Sequence, residues 1–129
     1  MHNRLLLDTC ALLWLASKSA SLSTVTRLAI EEAEVVYVSP VTAWELALKF
    51  NAGKLRLPCE PIQWFEHALD VFGLEVLPLD YKLMMKSTQL PFHHRDPADR
   101  TIIESALENK LTVVTGDHRF AEYGVATIC

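Results

Sequence analysis

The chain has 129 residues, half of them hydrophobic, and a net charge of −4 at pH 7. That length suits one domain over residues 1–129, able to bury roughly two-thirds of its unfolded surface, and six Pro and four Gly exclude a linker-rich or low-complexity chain. The acidic balance excludes a protein that holds nucleic acid by bulk positive charge. It leaves nucleic acid open as a substrate, because a carboxylate site for a cation is strongly acidic only when empty.

Leu5, Leu6 and Leu7 form a short apolar run ending at Asp8. Alone the run fits strand or helix, but its shortness and its place before a helical pattern predict a buried parallel strand. Ala11 to Ser17 reads as a helix, and Ser23 or Thr24 can cap a second one carrying Val25, Leu28 and Ala29. Val35 to Val38, β-branched and aromatic, reads as a second strand. Ser39-Pro40 has the cap-then-proline form of a helix start, with the helix running from about Val41 to Asn51 and stopping near Gly53. A helix from about Ile62 to Phe72 ends at Gly73, and Leu74 to Leu77 is a third strand. Asp80 caps a helix from Tyr81 to about Thr88, Gln89 to Arg95 is a loop, and Pro97 opens a helix reaching about Asn109. Leu111 to Val114 and Val125 to Ile128 complete the strands. Strands alternating with helices predict an α/β fold with a mostly parallel sheet of four to five strands and helices on both faces. Ligands of such sheets sit beyond the carboxyl ends of the strands.

The apolar runs fall short of the ~20 residues that cross a bilayer. The start lacks the apolar region and cleavage site of a signal peptide. A cytoplasmic protein without membrane association is expected. Cys10, Cys59 and Cys129 are odd in number and widely spaced. They read as small buried or terminal thiols, not a disulfide framework or zinc site.

Several acids fall where that rule looks for chemistry. Asp8 ends the first strand, and Asp117 lies just past the fourth. Asp99 shares one helix face with Ile102, Ile103 and Ala106, so it points toward the core and needs a partner, a cap or a metal. Glu45 interrupts an apolar helix, where a buried glutamate is costly unless paired or coordinated. Asp96, before Pro97, is an ordinary N-cap. Each acid also has a purely structural reading: caps for Asp8, Asp117 and Asp99, and an i,i+4 pair with Lys49 for Glu45. Carboxylates forced together repel and raise each other's pKa, so such a cluster makes sense around a divalent cation. Mg²⁺ and Mn²⁺ favour oxygen ligands and promote phosphodiester hydrolysis.

At these residues the sequence resembles the PIN-domain nucleases, in particular the VapC-like toxins of bacterial type II toxin–antitoxin pairs. The matching segments are Leu5-Leu6-Leu7-Asp8-Thr9 with Ala11-Leu12-Leu13-Trp14, Ser39-Pro40-Val41-Thr42-Ala43-Trp44-Glu45-Leu46, His94-Arg95-Asp96-Pro97-Ala98-Asp99-Arg100, and Val113-Val114-Thr115-Gly116-Asp117. The resemblance implies a PIN-like α/β fold and a Mg²⁺- or Mn²⁺-dependent endoribonuclease acting on structured RNA. It further implies a homodimer and a cognate antitoxin. Asp8, Glu45 and Asp99 match the core acids, Asp117 the more variable fourth, and Thr115 a small hydroxyl residue near the metal, with Thr9 and Asp96 in supporting places. Gly116 stands where members often have a basic residue, and Cys10 where they often have histidine.

Arg95, Arg100 and Arg119 flank the acids and, with His93, His94 and His118, can form a basic rim for phosphates. The histidine pair reads more readily as a solvated loop than as metal ligands. Trp14, Trp44, Trp64 and Phe65 read as core or subunit packing more readily than as base-stacking groups. Two rival functions use the same acids differently: a metal-dependent DNA nuclease or phosphatase, or a binding protein with a degenerate site.

Overall fold

The structure, a computed structural model, describes residues 3–129. Five strands, β1 (Arg4–Leu7), β2 (Val35–Val38), β3 (Glu75–Val76), β4 (Thr112–Val114) and β5 (Thr127–Ile128), form one sheet in the order β3-β2-β1-β4-β5. Every strand pairing in it is parallel. The strands alternate with six helices: α1 (Thr9–Ser17), α2 (Thr24–Glu32), α3 (Pro40–Asn51), α4 (Pro61–Phe72), α5 (Tyr81–Ser87) and α6 (Pro97–Asn109). A 3₁₀ helix at His118–Tyr123, which carries no sequence signal strong enough to foresee, separates β4 from β5.

β1 is the centre of the sheet because its three leucines tolerate no water on either side. Leu5, Leu6 and Leu7 are all fully buried. Leu5 and Leu7 join Leu12 and Leu15 of α1, Ile30 of α2 and Ala68 of α4 on one face. Leu6 points the other way, to Ile102, Ile103 and Ala106 of α6 and to Phe120. α3 bridges the two layers, giving Val41 to one and Leu46 to the other. A strand apolar at every position is what a parallel sheet covered on both faces requires.

Local chemistry sets the helix ends. The side chains of Asp8, Ser23, Ser39, Asp80 and Asp96 each accept a backbone N–H at the start of the helix that follows. Pro follows directly at α3 and α6, where its missing N–H costs nothing. α4 ends at Gly73 with φ +63°, a conformation glycine adopts without strain. Among the described residues no helix is long and apolar enough to cross a membrane.

The strand order reverses direction at β1. The chain steps outward from β1 to β2 and β3, then returns to place β4 on the other side of β1. The loops after β1 and β4 therefore part from each other at the carboxyl edge and leave a crevice between them. Leu6, buried at the centre of this arrangement, is the most demanding position. Leu6→Ala is expected to cost about 2–5 kcal/mol, measured as a lower urea midpoint with an unchanged slope.

Candidate active site

Asp8 lies immediately past β1, and Asp117 three residues past β4, so the crevice is flanked by acids. The Asp8 backbone N–H still bonds Val114 O at 3.1 Å, extending the ladder by one residue. Its side chain, 5% exposed, caps α1 through Oδ1 to the Ala11 N–H at 2.8 Å. Asp117 caps the 3₁₀ helix, accepting the Arg119 N–H at 3.0 Å. Asp96 caps α6, with its Oδ1 2.9 Å from Ala98 N. The capping role read from sequence for these three is real, and it aims their carboxylates at one place.

Asp99 and Glu45 reach the same place from helix surfaces. A cleft of about 320 Å³ is lined by Asp8, Thr9, Cys10, Glu45, Asp96, Asp99 and Asp117, with Trp14, Lys49, Gly116 and Arg119 at its walls. All five acids proposed from the sequence thus meet in one cavity. Glu45 is held by the Thr9 hydroxyl, which donates to Oε1 at 2.6 Å, and by Lys49 Nζ, 3.3 Å from Oε2. The expected Lys49 pair therefore exists, but the Glu45 side chain is only 15% exposed and faces the cleft. Thr9 Oγ1 also lies 3.1 Å from Thr42 Oγ1. Thr115, buried beneath, donates to Asp8 and accepts the Asp117 N–H at 3.0 Å.

The electrostatics are uneven. Asp99 is pushed up to about 7, first by burial and then by the charges of Asp96, Asp8, Glu45 and Asp117. Burial also raises Asp8, partly opposed by the Thr115 hydroxyl and the Ala11 N–H. Asp117 is instead held down at about 2, chiefly by Arg119. The guanidinium binds it at both oxygens, Nε to Oδ1 at 3.0 Å and Nη2 to Oδ2 at 2.8 Å. The cleft thus contains two carboxylates already matched by a cation, Asp117 by Arg119 and Glu45 by Lys49, and others that are not.

Two sequence expectations need correction. Arg100 does not belong to a phosphate-binding rim. It is buried, and its guanidinium donates to five carbonyls at the end of α5 and in the loop after it, those of Ser87, Thr88, Leu90, Pro91 and His94, at 2.7–3.3 Å. The Phe92 ring covers it, 4.6 Å from the guanidinium carbon. The histidine pair is not one solvated feature either. His93 is exposed, whereas His94 is 3% exposed, with Nε2 2.9 Å from Asp117 Oδ2 and 3.1 Å from Asp99 Oδ2. His94 belongs to the site itself, whereas the sequence pattern puts it in a solvated basic rim. Its one available signal was indirect: Arg100 precedes Ile103 by one helical turn on a buried stripe, and a buried guanidinium must gather a polar loop around it.

Arg95, His118 and Arg119 are on the surface, as a rim would need. Trp64 and Phe65 pack on the core, and Trp14 packs partly on it while facing the cleft. Trp44 departs from core packing and is 59% exposed. Cys10 and Cys59 are exposed rather than buried. Burial and the Asp8 charge raise the Cys10 thiol, so it brings no thiolate to the cleft. Gly116 has a steric reason: a Cβ there would stand 2.7 Å from Trp14 Cη2, so any side chain would force the indole aside.

The residues present suit a hard divalent cation. Oxygen donors converge, and burial with mutual repulsion makes Asp99 and Asp8 reluctant to ionise without a positive partner. The family model described as PIN domain matches residues 5–126. Ribonuclease VapC22 of Mycobacterium tuberculosis is 25% identical over 119 residues, 92% of this chain and 90% of its own. The fold resembles VapBC2 from Rickettsia felis bound to a promoter DNA fragment (TM-score 0.67, 18% identity, 97% of each chain). It also resembles FitAcB from Neisseria gonorrhoeae (TM-score 0.67, 23% identity, 97% and 96% coverage).

Two predictions follow from this geometry. Because Asp99 titrates near 7 in the folded chain against 3.8 unfolded, its contribution is fully present below about pH 4 and is lost as pH rises through 7. Glu104, also raised to about 7, acts in the same direction in any Asp99 variant, so the comparison isolates Asp99. Metal-free Asp99→Asn should melt roughly 10 °C or more above the unsubstituted protein at pH 8, the gap closing by pH 4 in calorimetry. Arg100→Met strips five carbonyls of their donor and should cost about 2–4 kcal/mol in urea denaturation.

Proposed function

Because the chain belongs to the PIN domain family, we propose that it is a metal-dependent endoribonuclease, a single catalytic domain over residues 1–129 and the toxin of a toxin–antitoxin pair. The observation that carries this reading is the meeting of Asp8, Glu45, Asp96, Asp99 and Asp117 in one cleft beyond the strand ends, with Asp99 pushed up to about 7. Support comes also from the mycobacterial relative, whose name is that of a ribonuclease.

Asp8, Glu45, Asp99 and Asp117 are the proposed holders of Mg²⁺ or Mn²⁺, with Asp96, Thr9 and Thr115 supporting them. When bound, such a cation offsets the charge of a phosphodiester and makes an attacking water more acidic. Glu45, steadied by Thr9 and Lys49, is placed to orient that water and take its proton. Lys49, Arg95 and Arg119 offer cations at the rim for backbone phosphates. Thr115 keeps Asp8 aimed into the cleft. Structured RNA is the proposed substrate in a cytoplasmic setting.

The partners are proposed on two grounds. Structural relatives are described as VapBC and FitAB assemblies. This chain also bears an apolar groove of about 430 Å³ between α3, α5 and α6, with Trp44 59% and Met84 47% exposed along it. Exposed apolar surface of that kind suits a protein partner, an antitoxin or a second copy in a homodimer.

The test is incubation of purified chain with total cellular RNA under Mg²⁺, Mn²⁺ or excess chelator, beside Asp99→Asn. Discrete cleavage that needs metal and falls at least about 100-fold in the variant is expected. Cleavage surviving chelator, or shared by Asp99→Asn, would sink the reading. Hydrolysis of DNA or of small phosphoesters with RNA left intact would replace it.

A further inference from the structure

His94, Asp99 and Asp117 each bring one ligand atom within 4.8 Å of the others, an arrangement that invites assignment of the imidazole as a metal ligand. The surroundings of the ring indicate otherwise. A metal-binding histidine offers a lone pair from one nitrogen and donates the other N–H to an acceptor. Here the other nitrogen, Nδ1, receives the backbone N–H of Asp96 at 3.1 Å. A backbone amide nitrogen can only donate, so the Nδ1 lone pair is used and the ring proton sits on Nε2, aimed at the two carboxylates.

The ring has little freedom to reverse this. It is 3% exposed and stands edge-on to Phe120 at 5.8 Å. Its backbone N–H donates to the Tyr123 hydroxyl at 2.7 Å, and its carbonyl accepts from Arg100 Nη1 at 3.0 Å. A flip would set ring carbons against Asp117 and the Asp96 N–H and break both bonds. On the far side, Asp117 takes the Arg119 N–H and Nε on Oδ1, and Arg119 Nη2 beside His94 Nε2 on Oδ2.

We propose that His94 is a positioning residue and not a ligand: its Nε2–H, donated to Asp117 and facing Asp99, fixes the two carboxylates relative to each other and leaves the cation an all-oxygen set. The inference rests on the metal-dependent reading above and adds a selectivity to it. A site that withholds its imidazole lacks the nitrogen donor that Zn²⁺ and Ni²⁺ favour, and so suits Mg²⁺ and Mn²⁺.

The first test uses the intact chain, ¹⁵N-labelled at histidine, with ring nitrogens read by long-range ¹H–¹⁵N correlation before and after Mg²⁺. Nε2 is expected to carry the proton in both states. A proton found on Nδ1, before or after metal, overturns the proposal and leaves the metal reading standing. In a second sample ¹³C-labelled at aspartate, carboxyl signals of Asp8 and Asp99 that ignore Mg²⁺ overturn the metal reading and leave the ring assignment standing. The second test is Mn²⁺ affinity by titration calorimetry. His94→Gln keeps an N–H near the place of Nε2 and should stay within about threefold of the unsubstituted chain, whereas His94→Ala should lose about tenfold or more. Equal losses in both overturn the proposal. If neither variant folds, the spectrum of the unsubstituted chain decides alone.

Discussion

Carboxylates of like charge do not stay together by themselves, and the carboxyl edge of this sheet is arranged around that fact. Burial and repulsion push Asp99 to about 7, so the metal-free cleft works against its own shape. Backbone and side-chain donors resist this at the four acids around Asp99. Asp8, Asp96 and Asp117 each accept a helix-opening N–H, and Glu45 accepts a threonine hydroxyl. The N-terminal ends of helices carry partial positive charge, which favours acids there. Structural and functional readings of these aspartates are therefore two aspects of one arrangement: the cap bond fixes where the carboxylate points.

Much of the fold was legible because periodicity and end signals agree. The leucine run of β1 and the β-branched run of β2 could only be buried strands once helices were placed around them. Ser39-Pro40, Gly73, Asp80 and Asp96-Pro97 mark helix ends within a residue or so of where they fall. The acids were legible for a related reason. Asp99 lies on a stripe with Ile102 and Ile103, and Glu45 sits among apolar neighbours, so each stands out against a regular pattern.

What escaped was held by irregular backbone. The loop before α6 has no period, so nothing in its sequence separates His94, buried against two carboxylates, from His93, exposed beside it. Arg100 reads in sequence as a surface cation because its partners are carbonyls, which every residue supplies and no sequence pattern displays. The 3₁₀ helix has no signature because six residues of mixed polarity just after Gly116-Asp117 resemble any turn. Gly116 is a departure from the basic residue that the family resemblance implies there. Its cause, an indole occupying the space a Cβ would need, is a contact between residues a hundred positions apart.

The guanidinium of Arg100 reads the loop before it only through main-chain oxygens and one ring face. Most side chains along that stretch, Gln89 and His93 among them, are therefore free to drift under mutation without disturbing the path of the chain. The number of residues is not free, since five carbonyls must arrive together at one planar group. Sequence divergence between relatives should thus be broad in the character of this loop and narrow in its length.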